Sequence, residues 1–290
     1  MSVQALLNQI NKTKSSGNTQ DRDTTVYYYP ETDQSGNGSA VIRFLPGMTE
    51  DHPFFVKTFK HNFQDVGGWF IEECPTTIGQ PCPACAHNQD LIRQHGGWDQ
   101  APDSVKSLYR KHKRKIVYIA NVLVIEDKKN PDNQGKIFPM KFGSKIFGMI
   151  EDKAKPEFED ETPCNVFDLD TGANFSLKIR KVEGQTNYDK SSFGDSSKIK
   201  VDLSGCMDLN VYLDPTKFKS EDALEKRWNH ATGVRTAPAK TATQKVDEEF
   251  EDVPRSVERE VVQSKPKAAP AKPAKDDDDD IEALMASLGE

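Results

Sequence analysis

Four residues in one 25-residue window, His61, Cys74, Cys82 and Cys85, offer three thiols and an imidazole. Cys3His is a combination that closes a tetrahedral structural zinc site. Cys82-Pro83-Ala84-Cys85 is a tight turn that can present two sulfurs to one metal, while His61 and Cys74 must return from the preceding chain, with twelve and then seven residues between successive ligands. Protein atoms fill all four positions, which leaves no place for a water nucleophile, so a zinc here holds the fold rather than hydrolysing anything. Two other chemistries use similar spacings. A zinc-dependent base deaminase also carries Pro-Cys-x-x-Cys, as in Pro81 to Cys85, but needs His-x-Glu upstream, and His61-Asn62-Phe63 lacks the glutamate. A thioredoxin-like pair needs Cys82-x-x-Cys85 to open a helix in a βαβ unit, and no such repeat surrounds it. His87 is the rival fourth ligand, with a solvent-facing helix residue as its plainer reading.

A second constellation is basic and aromatic. Lys111-His112-Lys113-Arg114-Lys115 leads into Ile116-Val117-Tyr118, and Lys141, Lys178 and Arg180 repeat the theme. From Phe175 to Val182, Phe175, Leu177 and Ile179 alternate with Ser176, Lys178 and Arg180, so one strand face is core and the other basic. With Trp98, Tyr109, Tyr118 and Tyr188 nearby in sequence, such a surface can follow a phosphate backbone while rings stack on unpaired bases. The same residues also suit an ordinary barrel with amphipathic tyrosines and a solvated lysine rim. Spacing alone leaves both readings open.

The elements that must position these groups are mostly strands. Ala40 to Leu45, Phe54 to Thr58, Ile116 to Ile125, Lys136 to Phe142 and Phe175 to Val182 are β-branched or aromatic runs bounded by Gly, Pro, Asn and Asp. Pro139 demotes its strand toward an edge, because proline cannot donate to a central ladder. Ala84 to Gln94, Ser144 to Asp152 and Ser220 to Ala231 read as helices. A mainly β chain with peripheral helices follows, an OB-type barrel core with a zinc subdomain over about 61–95.

Around that core, at residues 21–235, the chain changes character. Residues 1–20 carry Val3, Leu6, Leu7 and Ile10 at helical spacing and then the hinge Lys12-Thr13-Lys14-Ser15-Ser16. Such a helix is too short to stand alone and is expected to fold on a partner or pack on its own domain. Residues 236–275 have the composition of a disordered linker. In 276–290, Asp276, Asp277, Asp278, Asp279 and Asp280 adjoin a stripe of Ile281, Leu284, Met285 and Leu288, which suits a partner-docking peptide. Of the formal net charge of -7, the segment 236–290 supplies most, with 14 acids and 8 bases. The acidity therefore does not describe the body, and does not exclude nucleic acid as its partner. Five cysteines, three of them clustered, suit a reducing compartment rather than a disulfide framework. The first residues lack a signal-peptide pattern, and no run of twenty apolar residues appears, so a soluble intracellular protein with no membrane partner is expected.

Ala40-Val41-Ile42-Arg43-Phe44-Leu45-Pro46, the His61/Cys74/Cys82/Cys85 window, Ala120-Asn121-x-Leu123-Val124, Gly135-Lys136-x-Phe138, Phe142-Gly143-x-Lys145-Ile146 and Gly172-Ala173-Asn174-Phe175 together resemble the T-even-type bacteriophage single-stranded DNA-binding proteins. The resemblance covers about residues 40–190 and implies a helix-destabilising protein rather than an enzyme. Such a protein coats DNA cooperatively in replication, recombination and repair, in the cytoplasm of the infected host. It implies self-association through 1–20, one structural zinc, and contacts from the acidic tail to phage DNA polymerase, the helicase loader and recombination proteins. The sequence also departs from that family. Ile116-Val117 stand where a Ser/Thr pair follows the basic run, and Ile119, Met140 and Gln185 stand where aromatics are expected. A zinc-dependent nucleic-acid-modifying enzyme and an adaptor recruited by its tail are the alternatives.

Overall fold

The structure is a computed structural model and describes residues 25–234 apart from 50, 159 and 160. The expected N-terminal segment 1–20, the linker 236–275 and the acidic stripe 276–290 lie outside the described residues. Strands are β1 (Gly38–Phe44), β2 (Phe55–Asp65), β3 (Gly68–Glu73), β4 (Lys115–Glu126), β5 (Ile137–Phe142), β6 (Ala173–Val182), β7 (Gln185–Asn187) and β8 (Ser192–Ser196). Helices are α1 (Pro83–Arg93), α2 (Asp103–His112), α3 (Ser144–Ala154) and α4 (Glu221–Thr232).

The long strand β4 organises a curled, mainly antiparallel sheet. Its first half pairs with β2, in register Lys60 to Lys115 and Phe55 to Ala120, and its second half passes to β1, with Phe44 opposite Val122. On its other edge lies β5, with Asn121 opposite Pro139. Among the described residues β5 pairs with β4 alone, so Pro139 interrupts no central ladder. β1 continues to β6, and β6 to β7 and β8.

Alternation along β4 creates two buried faces. Tyr118, Ala120, Val122 and Val124 point with Ile42, Phe44, Met140, Phe142, Phe175 and Leu177 into the main core. The opposite face, Val117, Ile119 and Leu123, is covered by the segment that carries Leu203, Cys206, Leu209 and Tyr212. Arg43 is fully buried and held at both terminal nitrogens, while its Nε has no partner among the described residues: one guanidinium nitrogen donates to the carbonyls of Asp168 and Ser197 at 2.7 and 2.9 Å, another to Asn174 and Ser197 side chains. This motif arginine is a structural tie, and no anion could reach it.

A second, smaller core joins the β2–β3 hairpin to α1 and α4. Phe63 and Phe70 stack, Trp228 meets both edge-on, and Leu224 completes the contact. The sequence encodes α4 clearly: the Ser220 hydroxyl accepts from the Ala223 amide, Glu221 and Asp222 occupy the first turn, and Gly233 ends the helix with φ of 72°. Gly67 in the hairpin turn has no room for a side chain, since a Cβ there would lie 1.7 Å from the His230 carbonyl oxygen. Its amide instead donates to the Ala231 carbonyl at 2.8 Å, fixing the hairpin to the helix end.

Candidate metal centre and nucleic-acid interface

His61 reaches the second core because β2 runs to Asp65, well beyond the Thr58 expected from the sequence. Cys74 follows β3 directly, and Cys82 and Cys85 bracket the first turn of α1, which Pro83 opens. The four ligand atoms lie within 4.8 Å of one another. Bonds of about 2.3 Å to sulfur and about 2.0 Å to nitrogen give a tetrahedron with edges of roughly 3.5–3.8 Å. The Cys74 and Cys85 sulfurs are 3.6 Å apart, and His61 Nε2 is 3.5 Å from both Cys82 and Cys85. His61 Nδ1 donates to the His112 carbonyl at 3.1 Å, which leaves Nε2 facing the sulfurs.

The electrostatics of the cluster also ask for a cation. Burial works against a charged His61, yet hydrogen bonds to Cys74 and Cys82 outweigh it and carry the imidazole up to about 9. Hydrogen bonds from Cys82 and Cys85 hold Cys74 toward thiolate, and the same crowded sulfurs push Cys85 the other way. Three adjacent thiolates become compatible only with a positive ion between them. The residues therefore fit a closed metal site. His87 is not part of it: its Nε2 meets the Glu225 carboxylate at 2.9 Å and its ring stacks on Trp228, so it ties α1 to α4. Cys164 and Cys206 are buried in other cores.

The expected basic and aromatic residues separate into distinct places. Lys111 lies in the last turn of α2, a helix not expected from the sequence, and pairs with Asp65 at 2.9 Å. Burial would raise Asp65, but the hydrogen bonds from Lys111 and His112 bring it below its ordinary value. Lys113 is half-buried and Lys115 exposed. Arg114 lies 4.0 Å over the Phe59 ring and donates to the Thr76 hydroxyl at 2.5 Å. Tyr118 is 5% exposed, face to face with Phe147 at 3.9 Å, and Tyr109 is buried against Trp98, so these two rings serve packing. Trp98 itself is half-buried, with Lys106 and Arg110 near its ring. Arg180 pairs with Asp189, Lys178 is exposed on the outer face of β6, and Tyr188 packs partly against the main core.

A concavity lies elsewhere, on the outer face of β2, β4 and β5. It is a groove of about 680 Å³ floored by Thr58, Val117 and Ile119 and walled by the segment 207–219. Lys60, Lys141, Lys217 and Lys219 converge on it, with Tyr212 and Phe218. Lys115 sits opposite Lys60 in the ladder, two residues before Val117 on the same strand face, and so extends the groove's charge to its mouth. Lys141 lies 3.6 Å from the Tyr27 ring, and the Tyr27 and Tyr212 hydroxyls are 2.6 Å apart. Two of the cations are partly neutralised: Lys60 meets Glu73 at 3.1 Å, and Lys219 meets Glu72 at 2.8 Å. A groove with basic rims and aromatic walls suits an anionic polymer that carries stackable rings. Of its residues only Lys115 and Lys141 were singled out from the sequence. Lys217-Phe218-Lys219, with its basic-aromatic-basic order, was the local signal that went unread.

Comparison with known proteins agrees with this chemistry. The family model described as gp32 DNA binding protein like matches residues 36–232. A single-stranded DNA-binding protein of Enterobacteria phage T4 is 35% identical over 237 residues, spanning 76% of this chain and 75% of the relative. Its counterpart in Enterobacteria phage T2 is 34% identical over the same length, with the same coverage. A shorter match, 42% identical over 57 residues, is to a single-stranded DNA-binding protein of Escherichia phage SV14, covering 19% of this chain and 50% of that protein.

Proposed function

This chain belongs to the gp32 DNA-binding-protein-like family, and on that premise we propose that it binds single-stranded DNA without regard to sequence, as a coat on phage replication, recombination and repair intermediates. The observation that carries the reading is the groove in which Lys60, Lys141, Lys217 and Lys219 meet Tyr212 and Phe218. Its shape admits a strand whose bases are unpaired, and its cations can replace the strand's counterions. The function is binding, not catalysis.

The curled sheet with its covered outer face is read as an OB-type barrel. One structural Zn2+ held by His61, Cys74, Cys82 and Cys85 would supply no chemistry beyond holding the hairpin, α1 and the end of α2 together. Lys113, Arg114 and Lys178 are read as flanking phosphate contacts, Lys111 and Arg180 as cations that must first leave their aspartates, and Trp98 and Tyr188 as peripheral stacking rings. Residues 1–20 are assigned to self-association along the strand. The tail 276–290, after the linker 236–275, is assigned to replication and recombination proteins in the host cytoplasm. Titration of oligo-dT, duplex DNA and RNA at two salt concentrations tests the core reading. Equal affinity for duplex and single strands, or no affinity for either, would overturn it.

A further inference from the structure

Trp69 is 58% exposed on β3, and no ring partner surrounds it among the described residues. A tryptophan left open to water in this way withholds a large apolar area from burial, which points to an occupant. Its neighbours indicate which. Trp69, Ile71 and Glu73 share one strand face, and Ile71 and Glu73 line the groove, so Trp69 lies directly beyond the groove's end, about 7 Å past Ile71 by strand rise. Across the ladder Trp69 faces Gln64 and Ile71 faces Asn62, both exposed amides. The nearest groove cation, Lys60, is two residues further along β2.

We propose that the outer face of the β2–β3 hairpin continues the binding path out of the barrel, with Trp69 stacking on one base and Gln64 and Asn62 offering hydrogen bonds to base edges or sugar. This rests on the groove reading above. Continuity with the groove favours a nucleic-acid strand over a docked protein, whose patch would be expected to carry more apolar surface than Trp69, Ile71 and Val66, and the acid on this strand face, Glu73, is already paired with Lys60. Stacking on Trp69 also places the strand on the hairpin that supplies His61, so metal loss would cost this part of the path first.

The test compares wild-type protein with Trp69→Ala, Trp69→Phe and a groove control, Lys141→Gln with Lys217→Gln, titrated with oligo-dT at several salt concentrations. Trp69→Ala is expected to weaken binding about 5- to 150-fold, the equivalent of one lost base stack, with an unchanged salt slope and an unchanged melting temperature. Trp69→Phe should recover most of the loss. The groove control should flatten the slope while leaving the effect of Trp69→Ala in place. Unchanged affinity in Trp69→Ala alongside a flattened slope in the control overturns the hairpin path and leaves the groove standing. An unchanged slope in the control overturns the groove. If Trp69→Ala instead abolishes self-association at constant DNA affinity, the exposed ring is a protein contact and the proposal fails.

Discussion

Replacing Lys115, Lys141 and Lys217 together by glutamine removes three charges from the groove but keeps a polar side chain and part of the stem at each position. Two further lysines at the groove, Lys60 and Lys219, are shared with Glu73 and Glu72. The groove therefore neutralises between three and five phosphates, depending on whether the shared pair counts. At about −0.7 in log-log slope per contact for single strands, the groove alone should contribute a slope of roughly −2.1 to −3.5, to which the flanking contacts at Lys113, Arg114 and Lys178 would add. Between about 50 and 200 mM salt, that is a loss of roughly 20- to 130-fold in affinity. The triple variant loses three contacts, so its slope should flatten by about 2.1. Fluorescence titration with oligo-dT over that salt range reads both slopes, and a melting curve confirms that the fold is intact. A variant with the wild-type slope, whether or not its affinity falls, would show that these lysines do not neutralise phosphates and would place the strand elsewhere.

Elemental analysis should find one zinc per chain, and Cys85→Ser or chelation should strip hydrogen-exchange protection from β2, β3, α1 and α4 while β1 and β6 keep theirs; uniform loss, or none, contradicts a local structural metal. Cys164→Ser and Cys206→Ser should retain the metal, because their sulfurs lie in other cores. Deleting residues 1–20 should weaken binding on long single strands only, and an equal loss on a short oligomer would remove the self-association assignment. Deleting 276–290 should strengthen DNA binding at low salt, with a gain that shrinks as screening shortens to about 10 Å at 0.1 M; unchanged DNA and partner binding would reduce the segment to a solubility element.

Legibility of the fold followed the strength of local pattern. Ala40 to Leu45, Ile116 to Ile125 and Phe175 to Val182 fall within two residues of β1, β4 and β6, because each is a long apolar or alternating run. The second half of β2 was missed although Phe59, His61 and Phe63 alternate with Lys60, Asn62 and Gln64, since the polar partners masked a period of two. β3 was missed for the opposite reason: Trp69 and Ile71 are apolar on its open face, so alternation is blurred. In α2 only Val105, Leu108 and Tyr109 are apolar among lysines and serines, too thin a stripe to announce a helix. The Cys3His cluster that could hold a metal was readable because thiol chemistry confines such ligands to short spacings. The groove was not, since Lys60, Lys141 and Lys217 are remote in sequence and meet only through topology. Nor could the sequence reveal that Phe147 covers Tyr118, a contact made by a helix beginning 26 residues later.

The small core around Phe63 and Phe70 has a consequence for synthesis. Its metal ligands, His61 to Cys85, leave the ribosome close together, but its lid, Leu224 and Trp228, arrives on α4 some 140 residues later. At translation rates of about 5–20 residues per second, the hairpin's aromatic face stays uncovered for roughly 7 to 30 seconds. During that interval a metal bound by these four residues would hold β2, Cys74 and α1 in register beyond what the β2–β3 ladder does, and an unmetallated nascent chain would present Phe63 and Phe70 to other chains. Zinc supply at the moment of translation, rather than in the finished protein, would then govern how much of this chain escapes aggregation.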